Sequence, residues 1–177
     1  MRQRRRSDVP DTVTKFCETG WRCLSYTLML GYGAWCLWDK PWLWDIRHCW
    51  YDYPFHPIPA DIWCYYMMEL SFYWSLSICQ FFDVKRKDFL EMMIHHNATI
   101  LLMMFSWSGH FTRIGSLVMI LHDMADPLLE LAKMFRYANY RRTCDAIFAI
   151  FSLVWIVTRY LYFWEIKSAF LAQKTVI

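Results

Sequence analysis

Five predominantly apolar segments recur along this 177-residue chain, at 16–38, 62–82, 89–107, 113–135 and 143–163. Each is long enough to cross about 30 Å of hydrocarbon at about 1.5 Å per helical residue. A backbone in lipid must satisfy its own N–H and C=O groups, which leaves helices or closed barrels. Strand alternation is absent, and Gly (5) and Pro (6) are few, so the pattern predicts an all-α polytopic transmembrane bundle of about five spans. Hydrophobic residues make up 57% of the chain, and average hydropathy understates its apolar character because 11 Trp and 11 Tyr score as polar although both suit membrane interfaces.

Charge sets the expected orientation. The opening RQRRR, the loop DVKRKD at 83–88 and the stretch holding Lys133, Arg136, Arg141 and Arg142 are basic and alternate with less basic connections. By the positive-inside rule the N-terminus is cytosolic, and an odd number of spans places the C-terminus on the opposite side. The first apolar run lies too far from Met1 and is too long for a cleaved signal, so it reads as an uncleaved anchor. A basic cluster beside a span fixes topology, and nucleic acid is not an expected partner.

Six of seven Cys fall inside spans (Cys17, Cys23, Cys36, Cys64, Cys79 and Cys144), leaving Cys49 in a lumenal loop, which excludes a disulfide framework. That loop is unusually aromatic. Pro54, Pro57 and Pro59 oppose helix there, so Trp42, Trp44, Trp50, Tyr51 and Tyr53 are expected along the membrane surface as an interfacial belt. The sequon at Asn97 sits within a span and should carry no sugar.

Ionisable groups at membrane depth mark candidate sites, because each charge costs about 2.5 to 3.5 kcal/mol on insertion scales. His95 and His96 lie in one span with Thr99 a helical turn away, where it can orient one of the rings. Asp123, Asp126 and Glu130 are spaced i, i+3, i+7 in the next span, on one face of a continuous helix. At about 1.5 Å per residue the histidines lie roughly 9 to 11 Å in from the basic side and the aspartates roughly 9 to 14 Å, so the groups are expected to meet in the cytosolic half. A carboxylate bonded to one imidazole nitrogen fixes the tautomer and raises the basicity of the other, which suits acyl or phosphoryl transfer. A purely structural His–Asp network is the bland alternative. A metal centre is not expected: the HxxxH and HxxHH boxes of membrane desaturases are missing, and His122 points about 100° away from Asp123 on a helix. Two further charges fall in spans. Glu69 reads as a partner for another helix's polar group, and Arg159 as a residue that snorkels to the interface.

The run from CWYDYPFHPIPADIW through FYWSL, DVKRKDF and IHHNATILLMMFSW, followed by LHDMADPLLELAKMFRY, resembles the TLC domain of ceramide synthases. It includes their longevity-assurance motif, HHxxT at His95, His96 and Thr99, then LHDxxDxxLE from Leu121 to Glu130. The resemblance divides the chain into a basic cytosolic segment (1–14), the TLC domain (15–164) and a divergent tail (165–177). It implies N-acylation of a sphingoid base by a fatty acyl-CoA in the endoplasmic reticulum membrane, giving ceramide or dihydroceramide, without a prosthetic cofactor or metal. It implies catalytic roles for His95, His96, Asp123 and Asp126: His95 carries the acyl group transiently, His96 is its acid/base partner, and the aspartates orient and transfer protons. Thr99, His122 and Glu130 support them, while Lys85, Arg86, Lys87, Arg141 and Arg142 are candidates for the CoA phosphates.

Family members usually begin with a further span, many carry a homeobox-like domain, and they end with a last span and a regulatory tail that EIKSAFLAQKTVI does not match. Expected partners are acyl-CoA, sphingoid base, membrane lipid and a homo- or heterodimer with other ceramide synthases. Two other functions remain open: a non-catalytic chain that modulates a full-length synthase, and a lipid-binding or transport protein.

Overall fold

The computed structural model describes residues 2–82 and 89–176, and the regular elements among them are helices. In order they are α1 (Arg2–Trp38), α2 (Pro41–Trp44), a 3-10 turn (Ile46–Cys49), α3 (Ala60–Phe82), α4 (Phe89–Ser108), α5 (Thr112–Asp123), α6 (Asp126–Tyr137) and α7 (Arg141–Val176). Among the described residues one stretch, Arg141–Leu161 of α7, is long and apolar enough to cross a membrane by length and composition. The helices form two compact units: Met1–Leu30 with Leu121–Leu161, and Gly31–Ile120 with Tyr162–Ile177.

The unit built on Gly31–Ile120 holds an aromatic core. Trp42, Trp50, Tyr65, Tyr66 and Tyr73 are buried with Cys36, Leu37, Ile62, Ile100, Met103 and Leu117, and α3 packs along α4. Buried tyrosines need partners for their hydroxyls. Tyr66 supplies them across the unit, its Oη lying 2.9 Å from Ser106 Oγ and donating to the Thr112 carbonyl at 3.1 Å. Gly33 and Gly115 permit these approaches: a Cβ on Gly33 would stand 2.7 Å from the Tyr65 ring, and one on Gly115 would collide with Tyr66 Oη and Ser106 Oγ.

Arg113 ties the loop after α2 to the start of α5. Its Nη1 donates to the carbonyls of His48 (2.5 Å) and Tyr51 (3.1 Å), and its guanidinium lies 5.2 Å from the Trp42 ring centroid. This network changes the expected interfacial belt. Trp44 and Tyr51 are exposed, but Trp42 and Trp50 are core residues, because the loop folds back and buries their large apolar area. Helix also enters this loop, as α2 and the 3-10 turn, ahead of the three prolines. Asp45 caps the 3-10 turn by accepting from the Arg47 N–H at 3.0 Å.

Lys40 closes α1 onto α3, its Nζ 2.6 Å from Asp61 and 2.9 Å from Asp39. The Asp61 hydrogen bond raises the Lys40 pKa. Burial pushes the Asp61 carboxyl up, but the Lys40 ammonium and the Ile62 N–H outweigh it and hold it below its ordinary value.

The other unit packs the first part of α1 with α6 and the early part of α7, using small residues. Thr19, Ser25, Ala125, Ala132 and Thr158 are buried, and Gly20 lies close to Met134. Small side chains let helix backbones approach where lipid offers no hydrophobic driving force between them. Residues 113–135, expected as one span, are two helices with a break at Met124 and Ala125. Pro127, at the start of α6, has no N–H to give to the Asp123 carbonyl, so the ladder of α5 stops there and a new helix begins. Asn139 ends α6 with φ of 65°, a left-handed position that Asn tolerates after a helix.

Candidate catalytic centre

His95 and His96 lie on α4, a helix with no Gly or Pro that runs unbroken through both. Adjacent residues on a helix diverge by about 100°, and the two rings take different surroundings. His96 is 6% exposed and His95 is exposed, with ring centroids 5.9 Å apart. Tyr73 of α3 meets His96 edge to face at 6.0 Å. Thr99 was expected to orient one of the rings; its hydroxyl donates instead to the main-chain carbonyl of His95 at 3.0 Å, the short reach a threonine has to residue i−4.

Polar groups continue along α3. Glu69, Tyr73 and Ser77 are all buried and are spaced i, i+4, i+8, forming one buried polar stripe along the helix. Sequence reasoning found Glu69 but missed Tyr73 and Ser77. Their helical spacing from Glu69 was the available signal.

The carboxylates belong to the other unit. Asp123 is 2% exposed at the end of α5, Glu130 is buried on α6, and Asp126 is half-buried at the first position of α6. The single continuous face expected for them does not exist, since the helix break falls between Asp123 and Asp126. The fold still gathers the charges. Asp126 lies in the fields of Asp123, Arg159, Glu130 and Lys133, and Tyr26 of α1 lies in the fields of Asp123, Asp126 and Glu130.

Two cations engage Glu130. Lys133 Nζ donates to its Oε1 at 2.5 Å, and Arg22 Nε stands 3.8 Å from its Oε2. Arg22 in turn lies 3.8 Å from Glu18, one turn earlier on α1. Sequence reasoning passed over Glu18 and Arg22, although an i, i+4 acid–base pair inside an apolar run is the pattern that flags an intramembrane site. Cys23 donates weakly to the Pro127 carbonyl at 3.6 Å and joins α1 to the start of α6.

Arg159, expected to snorkel to the interface, is engaged with other side chains of its unit. Its Nη1 donates to Nε2 of His122, and its guanidinium lies 5.6 Å from the centroid of Trp155. Arg141 and Arg142 open α7 and, with Asn139, Tyr140 and Thr143, line an open surface depression of about 430 Å³. Lys85, Arg86 and Lys87 lie outside the described residues.

An exposed imidazole beside a buried one is suited to nucleophilic attack assisted by its neighbour. Ionised carboxylates can accept a proton, and neighbouring cations keep them ionised while lowering their basicity.

Comparison with known proteins gives these side chains a family. A TLC domain model matches residues 15–176. The chain is 53% identical over 158 residues to human ceramide synthase 5, covering 89% of this chain and 40% of that protein. It is 48% identical over 163 residues to human ceramide synthase 3, covering 92% and 42%. To the Caenorhabditis elegans ceramide synthase hyl-1 it is 42% identical over 150 residues, covering 84% and 41%. The chain thus spans about 40% of the length of these relatives. A match of this extent, over helices that carry both halves of the motif, means that the chain belongs to the TLC-domain family.

Proposed function

We propose that this chain is an N-acyltransferase of the ceramide synthase type, moving a fatty acyl group from coenzyme A to the amine of a sphingoid base in the endoplasmic reticulum membrane. The observation that carries this reading is the joint presence of HHNAT on α4 and LHDMADPLLE across α5 and α6, in a chain 53% identical to a ceramide synthase. The exposure of His95 and the packing of His96 beside Tyr73 support a division of labour between the histidines.

In this mechanism a ring nitrogen of His95 attacks the thioester carbonyl. A C–N bond forms, the C–S bond breaks, and CoA leaves as a thiolate that takes up a proton. The sphingoid amine then attacks the acyl-imidazole, the amide C–N bond forms, and the imidazole departs. Splitting the transfer into two steps predicts ping-pong kinetics. His96 acts as acid/base partner, and Asp123 and Asp126 orient groups and accept the amine proton. Thr99, His122 and Glu130 hold these residues in place. Arg141 and Arg142, with Lys85, Arg86 and Lys87, are the proposed contacts of the CoA phosphates, and the reaction uses acyl-CoA as co-substrate with no prosthetic group. The chain crosses the membrane five times with its N-terminus cytosolic.

The test is ceramide formation from a long-chain acyl-CoA and sphinganine, in membranes devoid of other ceramide synthases. His95→Ala and His96→Ala should each reduce turnover by at least about 100-fold, as loss of a nucleophile or its acid/base partner does. Undiminished turnover in both variants would sink the mechanism. An inserted wild-type chain that forms no ceramide, yet changes the output of a coexpressed synthase equally with and without His95, would establish a modulatory chain instead.

A further inference from the structure

We propose that Arg159 is a positioning residue for the Asp123 and Asp126 pair, holding the neighbouring His122 in one tautomer and placing a guanidinium charge beside the pair. The inference rests on the acyltransferase reading and assigns to that site a residue on α7, outside the motif.

The hydrogen bond from Arg159 Nη1 to His122 Nε2 carries the first step. A guanidinium only donates, so Nε2 of His122 must present its lone pair. The proton of the ring then sits on Nδ1, and His122 is neutral. Asp123, the next residue, is therefore not neutralised by an imidazolium at position 122.

Charge distribution carries the second step. Asp126 faces Asp123 from α5, Glu130 and Lys133 from its own helix, and Arg159 from α7, while Tyr26 and Arg22 approach this cluster from α1. Arg22 and Lys133 engage Glu130. Arg159 is the cation from the remaining helix, and Trp155, one turn before it, lies 5.6 Å from its guanidinium. Two carboxylates in each other's fields resist joint ionisation, and a nearby guanidinium relieves that. The aspartate kept ionised is the acceptor for the proton that the sphingoid amine loses as its amide bond forms.

The experiment compares pH profiles of kcat/KM for ceramide formation by the full chain, Arg159→Met and Arg159→Lys in membranes. Arg159→Met should move the acidic limb to higher pH by about one unit, as loss of a nearby opposite charge does, and so reduce turnover about tenfold on the acidic side of the wild-type limb. Arg159→Lys should restore most of both. A limb unchanged in Arg159→Met, or a uniform loss at every pH that Lys does not rescue, would overturn the proposal. If Arg159→Met fails to insert, Arg159→Lys alone must keep the wild-type limb, and a displaced limb refutes the charge role. Nitrogen-15 histidine spectra of the detergent-solubilised protein provide a readout independent of activity. His122 should show the neutral Nδ1–H form, lost in Arg159→Met; an Nε2–H ring in the wild type would overturn the pairing. Inactivity of the wild type would refute the acyltransferase reading, while the spectra would still decide the pairing.

Discussion

His56 carries an acid sensitivity that can be derived from its surroundings. It is buried ahead of α3, with Nε2 3.3 Å from Thr112 Oγ1. Burial lowers its pKa below 6.5, Arg113 and His110 lower it further, and Asp52 opposes them. Below 6.5 the unfolded chain therefore binds a proton that the folded chain resists, so stability is full above that value and is lost as pH falls through the folded one. In detergent micelles the melting temperature of the wild type should fall as pH drops from about 7 to about 5. His56→Gln, which keeps a polar group near Thr112 and cannot titrate, should flatten that fall. Equal slopes for the two proteins would show that His56 does not set the acid limit.

At the scale of elements, close approach of helices decides what is tolerated. Gly115→Ala places a methyl against Tyr66 Oη and Ser106 Oγ, both committed to hydrogen bonds, so α5 must shift. The substitution should destabilise by about 1 to 3 kcal/mol, the usual range for overpacking. Gly31→Ala meets nothing within 4 Å on α1 and should be neutral or stabilising by up to about 1 kcal/mol through helix propensity. Thermal unfolding of the two variants side by side checks the contrast; equal effects would mean that the contact at Gly115 is not a constraint. The same elements show what the sequence could reveal. The apolar runs of α3, α4 and α7 announce their helices because each is long and has no internal Gly or Pro. The break before α6 was not legible, since Pro127 is as compatible with a bend in a span as with a new helix start. His95, His96, Asp123 and Asp126 stood out because ionisable groups are rare in apolar runs. Their different exposures did not, because burial depends on which neighbouring helix covers each face. The link from Arg159 to His122 joins positions 37 apart in sequence, a pairing that no local period encodes.

At the scale of the whole molecule, the number of crossings follows from which helix faces water will accept. Among the described residues, Arg141–Leu161 is the stretch long and apolar enough to cross by length and composition, while in the other helices Tyr and Trp, which suit membrane interfaces, lower the mean hydropathy. The exposed residues point further. Trp63, Trp74, Ile78, Phe81 and Phe82 are exposed on α3, and Ile94, Leu101, Leu102, Met104 and Phe105 on α4. Apolar faces of this density are not left to water by a stable soluble protein, whereas lipid accepts them without penalty. Glu69 of α3 and His96 of α4 do not oppose insertion, since both are buried within the protein. The proposed cytosolic N-terminus rests on the basic opening segment, because Lys and Arg close to a span resist translocation. A tag at each end, probed by protease in sealed microsomes, should therefore find the N-terminal tag cleaved and the C-terminal tag protected. Both tags cleaved would require an even number of crossings and would move α7 or α1 out of the transmembrane set, whereas the reverse pattern would invert the orientation and place the basic start of α7 away from the cytosol.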